Sequence, residues 1–172
     1  AIYDAGHAYP TTLDANIYRS EEYWGRAAGW YILAIVDVLE AMEQAGKKGD
    51  ADFQLMQSYL TQLADGLVAR QDAETGCWYQ LLQYDNTKCA TQGEDATGSN
   101  KYTNVQGGNT QCNYLESSAS CLITAALLKG TRLGYIHHAA AGKKGYEGIL
   151  QQFVVAENGD FHITTSCQSA GL

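Results

Sequence analysis

Two segments of the chain are apolar on nearly every helical face, and each is followed by a segment carrying a single apolar stripe. The first runs from the Trp24 region through Trp30-Tyr31-Ile32-Leu33-Ala34-Ile35-Val36 to Leu39. Ser20 suits its N-cap, with Glu21 and Glu22 in a first turn where the helix dipole favours acids. A helix this apolar all round is expected to be buried on all sides. Gly46-Lys47-Lys48-Gly49 supplies the stop. The second segment spans about Asp52 to Arg70. Phe53, Met56, Leu60, Leu63 and Leu67 fall three or four apart, while Gln57, Gln62 and Asp65 lie off the stripe. That spacing predicts an amphipathic outer helix, and the pair reads as an αα-hairpin.

The pattern then repeats. Leu115 to Lys129, with Leu122, Ile123, Ala125, Ala126, Leu127 and Leu128, reads as a second apolar helix ended by Gly130. Lys144 to Val155 carries Tyr146, Ile149, Leu150 and Phe153 at helical spacing and reads as the second amphipathic one. Glu157-Asn158-Gly159-Asp160 predicts a turn, with Phe161-His162-Ile163 extended after it. Between the two pairs, Cys77 to Leu82 suits a short extended piece. Asp85 to Gln111 is a polar insertion without periodicity, and loops of that length are commonly functional or unstructured. The expectation is therefore all-α: about two αα-hairpins plus a long polar loop, residues 1–172 forming one partial domain with 85–111 inserted in it. Two hairpins cannot cover two fully apolar helices, so something else must pack there. The single proline, Pro10, agrees with long helices.

Composition adds exclusions. The 172 residues are 45% hydrophobic and 17% charged, as in an ordinary globular domain. The net charge is −8 and no stretch is rich in Lys or Arg. No nucleic acid or anionic membrane is therefore expected as a partner. No apolar run reaches the ~20 residues of a membrane span, and AIYDAGHAYP shows no signal-peptide pattern. Five cysteines stand at 77, 89, 112, 121 and 167 without CxxC spacing, so no zinc site is expected; neither is another metal or a cofactor. Cys89 and Cys112 bracket the polar segment. A disulfide there would offset roughly 3 kcal/mol of loop entropy and would suggest a secreted protein. Two free thiols, compatible with the cytoplasm, are the alternative. Cys121 suits a small buried hydrophobe.

More specific are six stretches in register. Tyr23-Trp24-Gly25-Arg26-Ala27-Ala28-Gly29-Trp30-Tyr31 resembles the W-x-R-x-x-G-W-Y segment of glycoside hydrolase family 105. Arg70-Gln71-Asp72-Ala73-Glu74-Thr75-Gly76-Cys77-Trp78-Tyr79-Gln80 resembles that family's R-x-D-x-E-T-G-x-W-Y-Q loop. Asn113-Tyr114-Leu115-Glu116-Ser117-Ser118-Ala119-Ser120-Cys121 resembles its N-[YW]-L-E-S-S-x-S-C helix start. Lys129-Gly130 through Gly134-Tyr135, Tyr146-Glu147-Gly148-Ile149 and Ser169-Ala170-Gly171 follow in order. The resemblance implies part of a six-hairpin α/α barrel, a toroid roughly twice this length, with this chain drawn from its C-terminal half. The missing N-terminal half of the barrel is then an expected partner.

It also implies hydration of the C4=C5 bond in a terminal unsaturated uronic acid, so that the substrate is an unsaturated uronic-acid oligosaccharide of pectin type. The family's catalytic aspartate lies on an upstream inner helix with no counterpart before His7, which leaves the catalytic residue unknown and the chain inactive alone. A non-catalytic carbohydrate-binding module, or a helical interaction module, is the alternative.

Four residues are candidates for substrate binding. Arg26 offers a guanidinium fork matched to a uronate carboxylate; otherwise it forms a structural ion pair with Glu21, Glu22 or Asp37. Trp24 and Trp30 suit walls for a sugar ring, against plain core packing. His7, in Gly6-His7-Ala8-Tyr9, resembles the family's H-A-[WY] stretch and suits a hydroxyl or water ligand, against an exposed loop histidine. Trp78 and Tyr79 suit either the same rim or a hydrophobic plug. Asp37, in an apolar helix, suggests a buried acid held by a structural partner, and His137-His138 a solvated linker.

Overall fold

The computed structural model describes residues 23–87, 89–91 and 110–167, with backbone only for 89–91, 110 and 111. In chain order the elements are α1 (Gly25–Gln44), α2 (Ala51–Val68), β1 (Cys89–Thr91), β2 (Thr110–Cys112), α3 (Ser117–Arg132), α4 (Ala139–Gln152), β3 (Val154–Glu157) and β4 (Asp160–Ile163). Helix α1 packs on α2 and α3, and α3 packs on α4. Gly25 abuts Ala119, Gly29 abuts Leu122 and Gly130 abuts Val36, so α1 and α3 run parallel. Gly142 meets Leu128 and Gly145 meets Thr124, so α4 runs back along α3. Two parallel inner helices, each followed by an antiparallel outer one, are two αα-hairpins of an all-α barrel.

Ile32, Ile35, Val36 and Leu39 of α1 join Phe53, Leu60 and Leu67 of α2 and Ile123, Ala126 and Leu127 of α3 in one core. The α2 stripe read from the sequence is thus the packed one. Among the described residues α2 and α3 cover two sides of α1, and Trp30, Tyr31 and Val38 stand exposed on the side that the two hairpins leave uncovered. The start of α1 is corrected. Trp24 is the N-cap residue, in extended conformation and without a capping side chain, because residues 23–25 pair with 80–82 instead of coiling. Ser20, Glu21 and Glu22 lie outside the described residues.

Helix stops follow the backbone. Gly46 (φ 74°) receives the end of α1: its N–H donates to Glu43 O at 2.9 Å, and Lys47 N–H donates to Met42 O at 2.9 Å. Gly134 (φ 76°) ends α3 in the same way, with Tyr135 N–H donating to Gly130 O at 2.9 Å. Gly130, expected as the stop, lies buried inside α3 beside Ile136.

Helix α4 starts at Ala139, five residues earlier than its apolar pattern suggested, so the supposed linker after His138 is helical. Its packed face is Gly142, Gly145 and Gly148 with Ile149, while Tyr146 and Leu150 are exposed. A Cβ on Gly148 would run into the Thr75 carbonyl. At Gly148 the helix lies too close to the Thr75 backbone for a side chain, so glycines share the packed face with Ile149 and Phe153, the two members of the predicted stripe that are buried. β3 and β4 form the expected hairpin, with Asn158 (φ 52°) and Gly159 (φ 91°) at its turn. In the insertion, β1 pairs with β2 so that Cys89 stands opposite Cys112. Cys112 is disulfide-bonded, whereas Cys77, Cys121 and Cys167 are thiols outside any disulfide. Cys121 is half-buried against Cys77, Ile149 and Phe153.

Candidate functional site

Three short extended segments lie side by side where α1 and α3 begin. Gly25 N–H donates to Gln80 O at 2.7 Å, Leu82 N–H to Tyr23 O at 2.9 Å, and Gln80 N–H to Tyr114 O at 2.8 Å. Asn113 holds them in register: its Oδ1 accepts from Leu81 N at 3.0 Å, while Nδ2 donates to Leu81 O at 3.0 Å and Tyr84 O at 2.9 Å. Beneath them Trp78 is fully buried and donates from Nε1 to Leu67 O at 2.7 Å. It is the plug of the two readings. Tyr79, half-buried, bridges to Leu115.

Arg26, in the first turn of α1, reaches α3. Its Nε donates to Ser118 Oγ at 2.6 Å, and its Nη2 donates to Glu116 Oε1 at 3.3 Å and to the Cys167 carbonyl. The Trp24 ring lies 5.5 Å from Arg26 Cζ, within cation–π range. The guanidinium edge that the sequence reading assigned to a ligand carboxylate is thus held by protein acceptors. Among the described residues only Nη1 has no partner. Among the described residues the ion-pair partner is Glu116, 90 positions away, and not Asp37; Glu21 and Glu22 lie outside the described residues.

Glu116 is the N-cap of α3 and is 0% exposed. Five donors surround its carboxylate: Ala119 N at 2.6 Å, Ser118 N at 3.3 Å, Ser118 Oγ at 2.8 Å, Cys167 N at 3.0 Å and Arg26 Nη2 at 3.3 Å. Burial alone would raise its pKa. The Cys167 and Ala119 amides, Ser118 and Arg26 outweigh that and hold it below its ordinary 4.5. The carboxylate is therefore ionised and saturated, which suits a structural anion and not a proton donor. Beside it, burial and the neighbouring Cys167 and Glu116 push the Tyr114 hydroxyl well above the usual phenol range.

Trp30, one turn beyond Arg26, is 61% exposed among the described residues. Trp24 is half-buried, and its shielded Nε1 has no hydrogen-bond partner among the described residues. His7 lies outside the described residues, as do Ser169-Ala170-Gly171. Asp37 is corrected from buried to 57% exposed; it pairs with Lys129 at 2.8 Å. His138 pairs with Asp65 at 2.8 Å. The structure thus brings Trp24 and Arg26 together and adds Glu116, Ser118, Asn113 and Cys167, which the sequence reading did not single out. The available signal was an acid followed by Ser-Ser at a helix start, a capping arrangement in an otherwise apolar stretch.

With the site in place, comparison with known proteins becomes informative. The model of Glycosyl Hydrolase Family 88 matches residues 6–103 and 97–172, nearly the whole chain. The chain belongs to Glycosyl Hydrolase Family 88. Over 161 residues this family 88 chain is 27% identical to Protein Atu3128 of Agrobacterium fabrum, covering 90% of the chain and 57% of that relative. Its fold matches a C. acetobutylicum ATCC 824 glycoside hydrolase from family 105 with a TM-score of 0.71 and 29% identity, over 99% of this chain and 40% of the other. A structure from Salmonella enterica described as a possible member of family 105 matches in fold, with a TM-score of 0.66 and 21% identity, over 93% and 34%. The chain therefore spans just over half the length of the curated relatives it matches and about two fifths of the matched glycoside hydrolase.

Proposed function

We propose that this chain is part of a glycoside hydrolase that hydrates the C4=C5 bond of terminal unsaturated uronic acids in pectin-type oligosaccharides, and that it supplies substrate-binding residues without the proton donor. The observation that carries this reading is the pairing of Trp24 with Arg26 where the two inner helices begin, with Trp30 exposed one turn further on. A stacked aromatic and a cation suit the C–H face and the carboxylate of a uronate. Arg26 meets that carboxylate through Nη1, its other nitrogens being engaged by protein.

In the reaction, a proton adds to C4 and water to C5; the hemiketal then opens and releases the neighbouring sugar. This chemistry needs one group to move the proton and does not use the paired carboxylates of ordinary glycoside hydrolysis. Glu116 is too well satisfied to serve, which supports inactivity of the chain alone. The disulfide at Cys112 supports secretion as the accompanying reading.

The test is ultraviolet absorbance of the unsaturated bond during incubation with a lyase-derived unsaturated disaccharide, beside calorimetric titration of the same sugar. The expected result is saturable binding without loss of absorbance. No heat on titration overturns the proposed binding site, and turnover overturns the missing proton donor.

A further inference from the structure

We infer that Glu116 is a positioning residue that fixes the Arg26 guanidinium and the segment ending at Cys167 as one unit. The meaning of that unit for sugar recognition rests on the function proposed above; the coupling itself does not. Three parts of the chain meet at Glu116: α1 through Arg26, α3 through its own N-cap, and residues 164–167 through the Cys167 amide. The triangle is closed on its third side, because Arg26 Nη2 also donates to the Cys167 carbonyl. Ser118 Oγ sits inside it, accepting from Arg26 Nε and donating to Glu116. One further tie, Ser117 N–H to Thr165 O at 3.1 Å, anchors the same segment to α3.

The geometry has a direct consequence for Arg26. With Nε and Nη2 both engaged, the planar group cannot turn about its Cδ–Nε bond without breaking three bonds. Nη1 is thereby aimed by Glu116 and not by solvent. Undocking residues 164–167 removes one acceptor from Arg26, and losing Glu116 removes the anchor of both. Among the described residues, the titratable groups facing Glu116 are Arg26 from α1, Tyr114 from the segment before α3, Cys121 from α3 and Cys167 from the last described segment.

Amide and side-chain hydrogen exchange on the isotope-labelled intact chain reads this coupling. On acidification, the Cys167 amide and the Arg26 Nε–H are expected to lose protection with one shared midpoint below the ordinary carboxylate range, while Trp78 Nε1–H stays protected. In Glu116→Gln both are expected to exchange more than about tenfold faster, the loss due to one bond to a charged group. In Arg26→Lys the Cys167 amide is expected to speed up even though its acceptor is unchanged. Separate midpoints, or Cys167 protection untouched by Arg26→Lys, overturn the inference. If Glu116→Gln does not fold, the acid titration of the unmodified chain decides alone.

A second arm titrates an unsaturated uronyl disaccharide against its methyl ester. The unmodified chain is expected to prefer the acid, Glu116→Gln to lose that preference, and Glu116→Asp to regain part of it. Failure of the unmodified chain to bind either sugar removes the proposed function and leaves the exchange result standing.

Discussion

At the N-terminal end of the α1–α3 pair Arg26 meets Glu116; at the C-terminal end Lys129 meets Asp37 at 2.8 Å and Glu40 at 2.5 Å. Both clusters join the same two helices with opposite charge. The first is shielded, and its acid is saturated by backbone amides and a hydroxyl. The second is partly open to solvent: Lys129 and Glu40 are each 28% exposed and Asp37 57%. A further tie at that end, Tyr135 to Glu43 at 2.6 Å, adds a phenol whose pKa burial and Glu43 push up to about 12. The contrast separates a charge that specifies geometry from charges that merely tolerate one another. A buried carboxylate with five donors has one arrangement that satisfies it, whereas a hydrated lysine has many.

The comparison breaks most sharply at Glu116. Replacing it with Ala is expected to cost about 3–5 kcal/mol in denaturant unfolding, since Arg26 and three amides lose their acceptor together. Next comes the helix contact beneath it. Gly29→Ala places a Cβ 2.8 Å from Leu122 Cβ, and about 1–3 kcal/mol of destabilisation is expected from that overpacking. Gly130→Ala, at the other end, meets the Ile136 side chain at 3.1 Å and Val36 Cγ2 at 3.4 Å, looser contacts, and should cost less in the same measurement.

Acid is the third probe. Glu116 titrates below its ordinary 4.5 in the folded chain, so its contribution is complete above that pH and is lost as pH falls through the depressed folded value. Thermal scans down this range should show a loss of stability that Glu116→Gln no longer shows. Smallest is Lys129→Ala, expected to change stability by no more than about 1 kcal/mol, with whatever remains suppressed by salt. A larger loss for Lys129→Ala than for Glu116→Ala would reverse the comparison.

What the sequence made legible, and what it hid, follows from the range of each interaction. The α2 stripe of Phe53, Leu60 and Leu67 is a local pattern, and the fold uses it as read. The inner-outer order of the four helices was legible for the same reason. The start of α1 was not, because Trp24 is kept extended by Leu81, far along the chain. The face of α4 was hidden differently: hydrophobic periodicity marks where side chains are, and here the buried surface is made of their absence. At the site, the motif pointed to Trp24 and Arg26, and the structure brings them together. The acceptors that hold Nε and Nη2 of Arg26, Glu116, Ser118 and Cys167, were hidden because they become its neighbours only after both hairpins assemble.

The glycine face of α4 inverts the usual logic of an alanine scan. Alanine normally strengthens a helix over glycine by about 1 kcal/mol, and trimming a large apolar residue to alanine is normally the harmful change. On this helix the smallest addition, a methyl, meets the Leu128 side chain at 142, the Thr124 side chain at 145 and the Thr75 carbonyl at 148. Cutting Tyr146 or Leu150 back removes atoms that touch mainly water. A library that keeps those three positions fixed can vary the outward side almost freely, which makes α4 a natural handle for labels, tethers or solubilising charge.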